Sequence, residues 1–172
     1  MRLFLSIPLD EKTRREIIVI RNKLRNHAES GRFTQEENLQ LTLVFLGEIS
    51  EEEIPVITSI MDSAKWITFP LLLNRMRSFS REHGDLYWLG CEKCPMLLKL
   101  QKELADKLRV AGFKVEFRNF VPHLTLGRQV TSKKSLEQEF PPIVYNVKYF
   151  SLMKSERTNR KLIHTELHRT NA

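Results

Sequence analysis

Two short segments of the chain contain the residue types that could do acid–base or phosphate chemistry. The first is Pro122–Arg128, with the sequence Pro-His-Leu-Thr-Leu-Gly-Arg, and its pattern predicts a strand whose side chains alternate between two faces. His123 and Thr125 then share one face. An imidazole moves protons near neutral pH, a hydroxyl donates hydrogen bonds to phosphate oxygens, and Arg128 offers a fork of donors to the same anion. Strict alternation places Arg128 on the face opposite His123 and Thr125. If Arg128 is to reach the same anion, the strand must bend, and Gly127 is well placed to allow this.

The second segment, residues 39–48, has the sequence Leu-Gln-Leu-Thr-Leu-Val-Phe-Leu-Gly-Glu and repeats this pattern. In a strand, Gln40 and Thr42 share one face and the leucines between them face the core. Two such strands side by side would hold a phosphate from both sides. Each segment taken alone equally fits an ordinary half-buried strand with its polar residues outside.

Taken together, the two segments resemble the signature segments of the 2H phosphoesterases. The nearest branch is the bacterial and archaeal RNA 2′,3′-cyclic phosphodiesterases, historically named 2′-5′ RNA ligases. Arg2-Leu3-Phe4 and Leu152-Met153-Lys154-Ser155 also resemble that branch. The resemblance covers nearly the whole chain. It implies a bilobal, LigT-like α+β fold, with two antiparallel sheets forming a central cleft and helices outside. It also implies one domain, 1–172, with two pseudo-symmetric lobes.

The resemblance further implies a reaction and roles for individual residues. The reaction is hydrolysis of RNA 2′,3′-cyclic phosphate ends to 2′-phosphate, without metal or cofactor, with ATP-independent joining of 2′-5′ RNA ends as a related activity. His123 corresponds to the proton acceptor that activates water. Thr42, Thr125 and Arg128 correspond to substrate-binding residues. Gln40 stands where the family has the histidine that protonates the leaving ribose oxygen.

Glutamine at position 40 predicts impaired catalysis, because an amide does not titrate near neutral pH. Loss of one acid–base group typically lowers a rate by ~10²–10⁴. Three explanations are open: an introduced, inactivating substitution; a natural residue of a degenerate enzyme or binding protein; or another residue acting as the acid. The candidates for that acid are the remaining histidines, His27, His83, His164 and His168. His164 and His168 should share one strand face, and a surface role is expected of them.

Two other functions compete with the enzyme. A non-catalytic RNA- or nucleotide-binding module would keep the phosphate pocket and bind 2′-phosphorylated nucleotides without turnover. An unrelated basic α+β domain would not bring positions 40, 42, 123 and 125 together.

The overall composition favours a globular protein with a polyanionic partner. The chain has 172 residues, 41% hydrophobic and 28% charged, with a formal net charge of +7 and a pI of about 9.6. A basic surface favours nucleic acid or nucleotides. No stretch approaches the roughly 18 apolar residues of a membrane span, and the N-terminal apolar stretch is too short for a signal peptide. We therefore expect a cytoplasmic monomer that acts on RNA ends or small nucleotides, away from membranes.

Cys91 and Cys94 are the only cysteines. Their spacing is compatible with a redox pair or with half of a zinc site. A structural zinc site needs about four ligands, and no second cysteine pair exists. We expect two reduced thiols at a strand–helix junction.

Hydrophobic periodicity predicts the elements that must position these residues. Strands are predicted over 2–7, 39–46, 67–77, 84–91, 114–117, 121–128, 142–153 and 160–168, and helices over 10–28, 50–65, 95–111 and 132–139. Residues 67–77 and 84–91 are predicted to pair, as are 142–153 and 160–168. The order indicates an α+β fold with mainly antiparallel pairing.

Overall fold

The computed structural model describes residues 1–116 and 119–172. These residues form two antiparallel sheets and three α-helices. The strands are β1 (Arg2–Pro8), β2 (Ser30–Phe33), β3 (Gln40–Glu48), β4 (Phe69–Phe79), β5 (Asp85–Cys91), β6 (Leu124–Thr131), β7 (Gln138–Val147), β8 (Tyr149–Thr158) and β9 (Lys161–Asn171). The helices are α1 (Glu11–His27), α2 (Ile54–Ser63) and α3 (Pro95–Val110).

The first sheet has the strand order β3-β1-β8-β9 and contains the Gln40 segment at its edge. Alternation along β1 buries Leu3, Leu5 and Ile7, which are at most 1% exposed. Ser6 lies on the opposite face, opposite Thr42 of β3. The alternation predicted for residues 39–43 is confirmed, because Leu39, Leu41 and Leu43 are buried while Gln40 and Thr42 are half-buried; it ends at Val44, which is also buried, where β3 shifts its register against β1.

The second sheet has the strand order β2-β6-β5-β4-β7 and contains the His123 segment. Tyr145 of β7 joins the two sheets, since its hydroxyl donates to the carbonyl of Pro8 in β1 at 2.7 Å. Buried residues of both sheets belong to a single hydrophobic cluster. The predicted pairing of β4 with β5 is also confirmed.

The helices lie where the apolar periodicity predicts them. Asp10 caps α1 by accepting a 2.8 Å hydrogen bond from the Thr13 amide, and Ser50 with Glu53 forms the predicted capping box before α2. The buried stripe of α3 is formed by Leu97, Leu100, Leu104 and Leu108. Helix α2 contacts α3 and β9, and α3 contacts β3. None of the described helices is long and apolar enough to cross a bilayer.

The β8–β9 hairpin contains an irregularity that local periodicity does not show. Leu152 pairs with His168 and Met153 pairs with Glu166, which leaves Leu167 as an extra residue in β9. Such a bulge reverses which face the following side chains occupy. The prediction that His164 and His168 share a face was therefore wrong. His168 contacts Asp62 of α2, 2.9 Å away, while His164 packs against Phe4 on the opposite side.

Other element predictions were wrong for identifiable reasons. Strand β2 was missed, since its four residues contain only one large apolar side chain. Residues 132–139 form no helix: Leu136 is the only large apolar residue there, and β7 begins at Gln138. The strand predicted over 142–153 is two strands, because the chain passes from one sheet to the other at Lys148. Of the strand predicted over 114–117, residues 114–116 are irregular and residue 117 lies outside the described residues.

The two cysteines lie at the predicted strand–helix junction. Cys91 is the buried last residue of β5, Cys94 directly precedes α3, and both are free thiols. Burial raises the pKa of the Cys91 thiol, which keeps it protonated and poorly nucleophilic. Cys91 therefore has the character of a buried structural thiol.

Candidate active site

His123 lies immediately before β6, and a hydrogen bond to the backbone fixes the tautomer of its imidazole ring. Its Nδ1 is 2.7 Å from the carbonyl oxygen of Val121. A carbonyl can only accept, so Nδ1 donates and carries the proton of the neutral ring. Nε2 then has a free lone pair. This is the tautomer that a base needs if it removes a proton from water.

Two aromatic rings form the apolar wall of His123. Phe79 and Trp88 stack at 4.7 Å, and both meet the imidazole edge-on, at 5.5 and 5.8 Å between ring centroids. Burial is the largest cause that lowers the pKa of His123, and the hydrogen bond to Val121 opposes it. Positive charge on Arg128 and Arg81 lowers this pKa further. His123 is thus kept neutral, as a base must be, at neutral pH.

Three arginines, Arg32, Arg81 and Arg128, form what we call the arginine cluster. Arg128 of β6 lies opposite Arg32 of β2 in the strand pairing. Partial burial is the largest cause that lowers the pKa of Arg128, and the positive charges of Arg81 and Arg32 lower it further. The Arg81 guanidinium lies over the Phe79 ring, 5.4 Å from its centroid. Within the described ranges no carboxylate forms an ion pair with any of the three. Unpaired, mutually repelling guanidinium groups favour an anionic ligand.

The bend that the sequence predicted in β6 is present, one residue earlier than expected. Trp88 pairs with Thr125 and Tyr87 pairs with Gly127, so Leu126 is an extra residue. This bulge allows Arg128 to approach His123 closely enough to affect its pKa. Leu126 is fully buried.

The backbone of β6 is fixed from the side by Thr34, in the loop after β2. The Thr34 hydroxyl donates to the Thr125 carbonyl at 2.9 Å, and its amide donates to the Leu126 carbonyl at 2.8 Å. Buried Arg21 of α1 in turn donates to the Thr34 carbonyl at 2.8 Å. The position of Thr125 therefore depends on α1 as well as on its own sheet.

Gln40, at the start of β3, lies in the middle of a polar chain that we call the Ser6–Gln40–His164 chain. The fully buried Ser6 hydroxyl donates to Gln40 Oε1 at 2.7 Å. Gln40 Nε2 lies 2.6 Å from Nδ1 of His164. Because an amide nitrogen only donates, Nδ1 accepts here, and the proton of the neutral imidazole is on Nε2.

The surface position expected for His164 was wrong. The tip of the β8–β9 hairpin reaches the short 3₁₀ helix Glu36–Asn38, where Asn38 Nδ2 donates to the Leu162 carbonyl at 3.0 Å. Phe4 meets the imidazole edge-on at 5.0 Å. Burial lowers the pKa of His164. By contrast His27 and His83 are exposed, as expected.

The two motif strands are neighbours across the two sheets. β3 and β6 approach within 8 Å between Cα atoms. The half-buried hydroxyls of Thr42 and Thr125 have no hydrogen-bond partner in the part of the chain that the structure describes. The same residues, 1–116 and 119–172, contain no group of three or more His, Cys, Asp or Glu side chains that could hold a metal ion.

Local sequence patterns missed five residues around these groups: Ser6, Arg32, Phe79, Arg81 and Trp88. Phe79 and Trp88 lie at or beside the two strands that periodicity predicted to pair, so their aromatic contact could have been predicted from cross-strand pairing. Ser6 gave no local signal, because its link to Gln40 spans 34 residues of sequence. His164 was one of four candidate acids, but its contact with Gln40 spans 124 residues and could not be predicted from spacing.

A family model described as the 2′-5′ RNA ligase superfamily matches residues 11–159. The chain belongs to this superfamily. A curated relative from Thermotoga maritima, an RNA 2′,3′-cyclic phosphodiesterase, is 32% identical over 92% of this chain and 88% of its own length. The relative of the same name from Escherichia coli is 30% identical over 98% of this chain and 94% of its own length.

A solved structure from the same superfamily confirms the predicted α+β fold. The crystal structure of E. coli LigT complexed with 3′-AMP matches with a TM-score of 0.87 at 31% identity, covering 99% of this chain and 97% of that chain. The agreement covers both antiparallel sheets and the three helices.

Proposed function

We propose that this superfamily member hydrolyses RNA ends or small nucleotides carrying a 2′,3′-cyclic phosphate to the 2′-phosphate. The observation that carries the proposal is that His123, neutral and with Nε2 free to accept a proton, lies beside the arginine cluster, whose Arg128 is on β6, the strand that follows His123. Relatives that are 30–33% identical over most of the chain bear the name RNA 2′,3′-cyclic phosphodiesterase. No cofactor is required for this chemistry.

The site's groups match the steps of cyclic phosphate hydrolysis. Nε2 of His123 accepts a proton from water as the water oxygen bonds to phosphorus. The bond from phosphorus to O3′ breaks, and the phosphate stays on O2′. Arg128, with the other arginines, stabilises the negative charge that builds up on the phosphoryl oxygens. The hydroxyls of Thr42 and Thr125 donate hydrogen bonds to the same oxygens.

Gln40 occupies the position of the family's proton donor without being able to act as one. Its amide does not titrate, and both of its polar atoms already have partners in the Ser6–Gln40–His164 chain. The departing O3′ alkoxide therefore needs its proton from another group. Without such a proton donor, the rate of hydrolysis is expected to be lower by a factor of ~10²–10⁴.

We further propose one catalytic domain, residues 1–172, with two pseudo-symmetric lobes, acting as a cytoplasmic monomer. The hydrophobic cluster shared by both sheets supports one domain. The free thiols Cys91 and Cys94 fit a reducing compartment.

The test is hydrolysis of an RNA oligonucleotide ending in 2′,3′-cyclic phosphate by the unaltered chain, His123→Asn and His168→Asn. We expect His123→Asn to lower the rate by ~10²–10⁴, with the 2′-phosphate as the product that chromatography detects. His168→Asn is the matched control and should leave the rate unchanged, because His168 contacts α2 instead. Binding of 2′-phosphorylated nucleotides without turnover, by both the unaltered chain and Gln40→His, would instead identify a non-catalytic nucleotide-binding module.

A further inference from the structure

His164 lies in direct contact with the position where the family's proton donor is missing. Its Nδ1 is 2.6 Å from the Gln40 amide nitrogen, although the two residues are far apart in sequence. We infer that His164 is the general acid of this chain, protonating the departing O3′ from Nε2, and that Gln40 is the residue that positions it. The inference rests on the proposed phosphodiesterase function.

The surroundings of His164 orient the ring and leave its second nitrogen available. Gln40 holds Nδ1, Phe4 packs edge-on against the imidazole, and the docked hairpin tip fixes the backbone nearby. Nε2 has no hydrogen-bond partner in residues 1–116 and 119–172. An oriented imidazole with one free nitrogen is the form in which histidine transfers protons.

The Ser6–Gln40–His164 chain can accommodate either protonation state of the ring. With neutral His164, the amide nitrogen donates to Nδ1 and Ser6 donates to Oε1. With the imidazolium, a half-turn of the amide presents Oε1 to the Nδ1 proton and Nε2 to Ser6 Oγ. A hydroxyl can donate or accept, so buried Ser6 is satisfied in both arrangements. Gln40 can thus support a histidine that gains and loses protons.

The proposed step is balanced in protons and bonds. The water oxygen bonds to phosphorus and one water proton passes to Nε2 of His123. The bond between phosphorus and O3′ breaks, and its electron pair takes the Nε2 proton of the His164 imidazolium. His123 then releases its proton to solvent and His164 takes one up, which restores both rings.

Exchanging the two side chains tests the assignment. We would compare the unaltered chain, His164→Gln, the double variant Gln40→His/His164→Gln, and His168→Gln as the matched control from the same strand. The probes are 2′,3′-cyclic AMP, whose alkoxide leaving group needs a proton, and bis(p-nitrophenyl) phosphate, whose phenolate leaves without one. We expect His164→Gln to lower the rate on the cyclic nucleotide by ~10² or more and to change the aryl ester rate far less.

The double variant should recover at least about tenfold over His164→Gln on the cyclic nucleotide, and His168→Gln should match the unaltered chain. Retained aryl ester hydrolysis shows that the site is still folded. An unaltered rate for His164→Gln, or an equal loss on both substrates, would overturn the inference.

The outcome for the proposed function is read separately. If His123→Asn removes activity while His164→Gln does not, the function stands and His164 is not the acid. If the unaltered chain is inactive while Gln40→His is active, the proposed function likewise stands and His164 is not the acid. If neither the unaltered chain nor Gln40→His hydrolyses the cyclic nucleotide, the proposed function itself fails.

Discussion

The pKa of His123 is set by neighbours that are distant in sequence. Phe79 and Trp88 exclude water from the ring, and Arg81 and Arg128 add positive charge, so the protonated form is disfavoured. The hydrogen bond to Val121 fixes which nitrogen holds the proton. These contacts favour the neutral imidazole, which is the form that the proposed role as a base requires.

Phe79→Ala should raise the pKa of His123 toward its ordinary value, because burial is the largest cause of its depression. In the proposed mechanism the neutral ring is the active form, so the acidic limb of the kcat/KM profile should move to higher pH. NMR titration of the imidazole resonances measures the pKa of His123 directly. A shift of the acidic limb to lower pH would contradict this account.

At the scale of elements, two bulges and one docked hairpin arrange the site. The extra residue Leu126 allows Arg128 to approach His123, and the extra residue Leu167 separates His164 from His168. The β8–β9 hairpin then reaches the 3₁₀ helix Glu36–Asn38 in front of β3. His164 meets Gln40 because of this long-range docking.

Asn38→Ala should destabilise the protein more than Lys161→Ala does, although both remove contacts of the hairpin tip. Asn38 is 8% exposed, and its loss leaves the Leu162 carbonyl without this donor, which costs about 1–3 kcal/mol. The Lys161–Glu37 ion pair is half exposed and contributes at most about 1 kcal/mol. Urea unfolding measures both variants. Equal effects would show that the Asn38 hydrogen bond does not dock the hairpin.

At the scale of the whole molecule, two half-buried histidines make stability depend on pH. The pKa values of His123 and His164 are both lowered in the folded state. As pH falls below about 6.5, the unfolded chain therefore binds these protons first, and the free energy of unfolding decreases. The carboxylates of Asp10 and Glu37, whose pKa values are also lowered, add a further loss near pH 4 and below.

The double variant His123→Asn/His164→Gln should lose less stability than the unaltered chain between pH 7.5 and about 5.5. Urea unfolding at several pH values across this range gives the slope of the free energy of unfolding against pH for each protein. The same slope in both proteins would mean that the two histidines are not the groups that link folding to protons.

The sequence by itself determined the local periodicities and therefore most elements. Alternation predicted β3 with Gln40 and Thr42 on one face, and helical spacing predicted α1 and α3. The two motif segments carried the family resemblance, which the superfamily match and the LigT structure confirm. These features depend on side chains a few residues apart, which is the range over which a single strand or helix expresses its pattern.

Only the tertiary structure decided which strands pair, where the register shifts and what lies beside Gln40. The switch between sheets at Lys148 depends on the strands with which β7 and β8 pair, and β2 is too short and polar to show a pattern. The bulge at Leu167 is a property of two strands together. His164 reaches Gln40 across 124 residues, and such contacts depend on how whole elements pack, which no local spacing encodes.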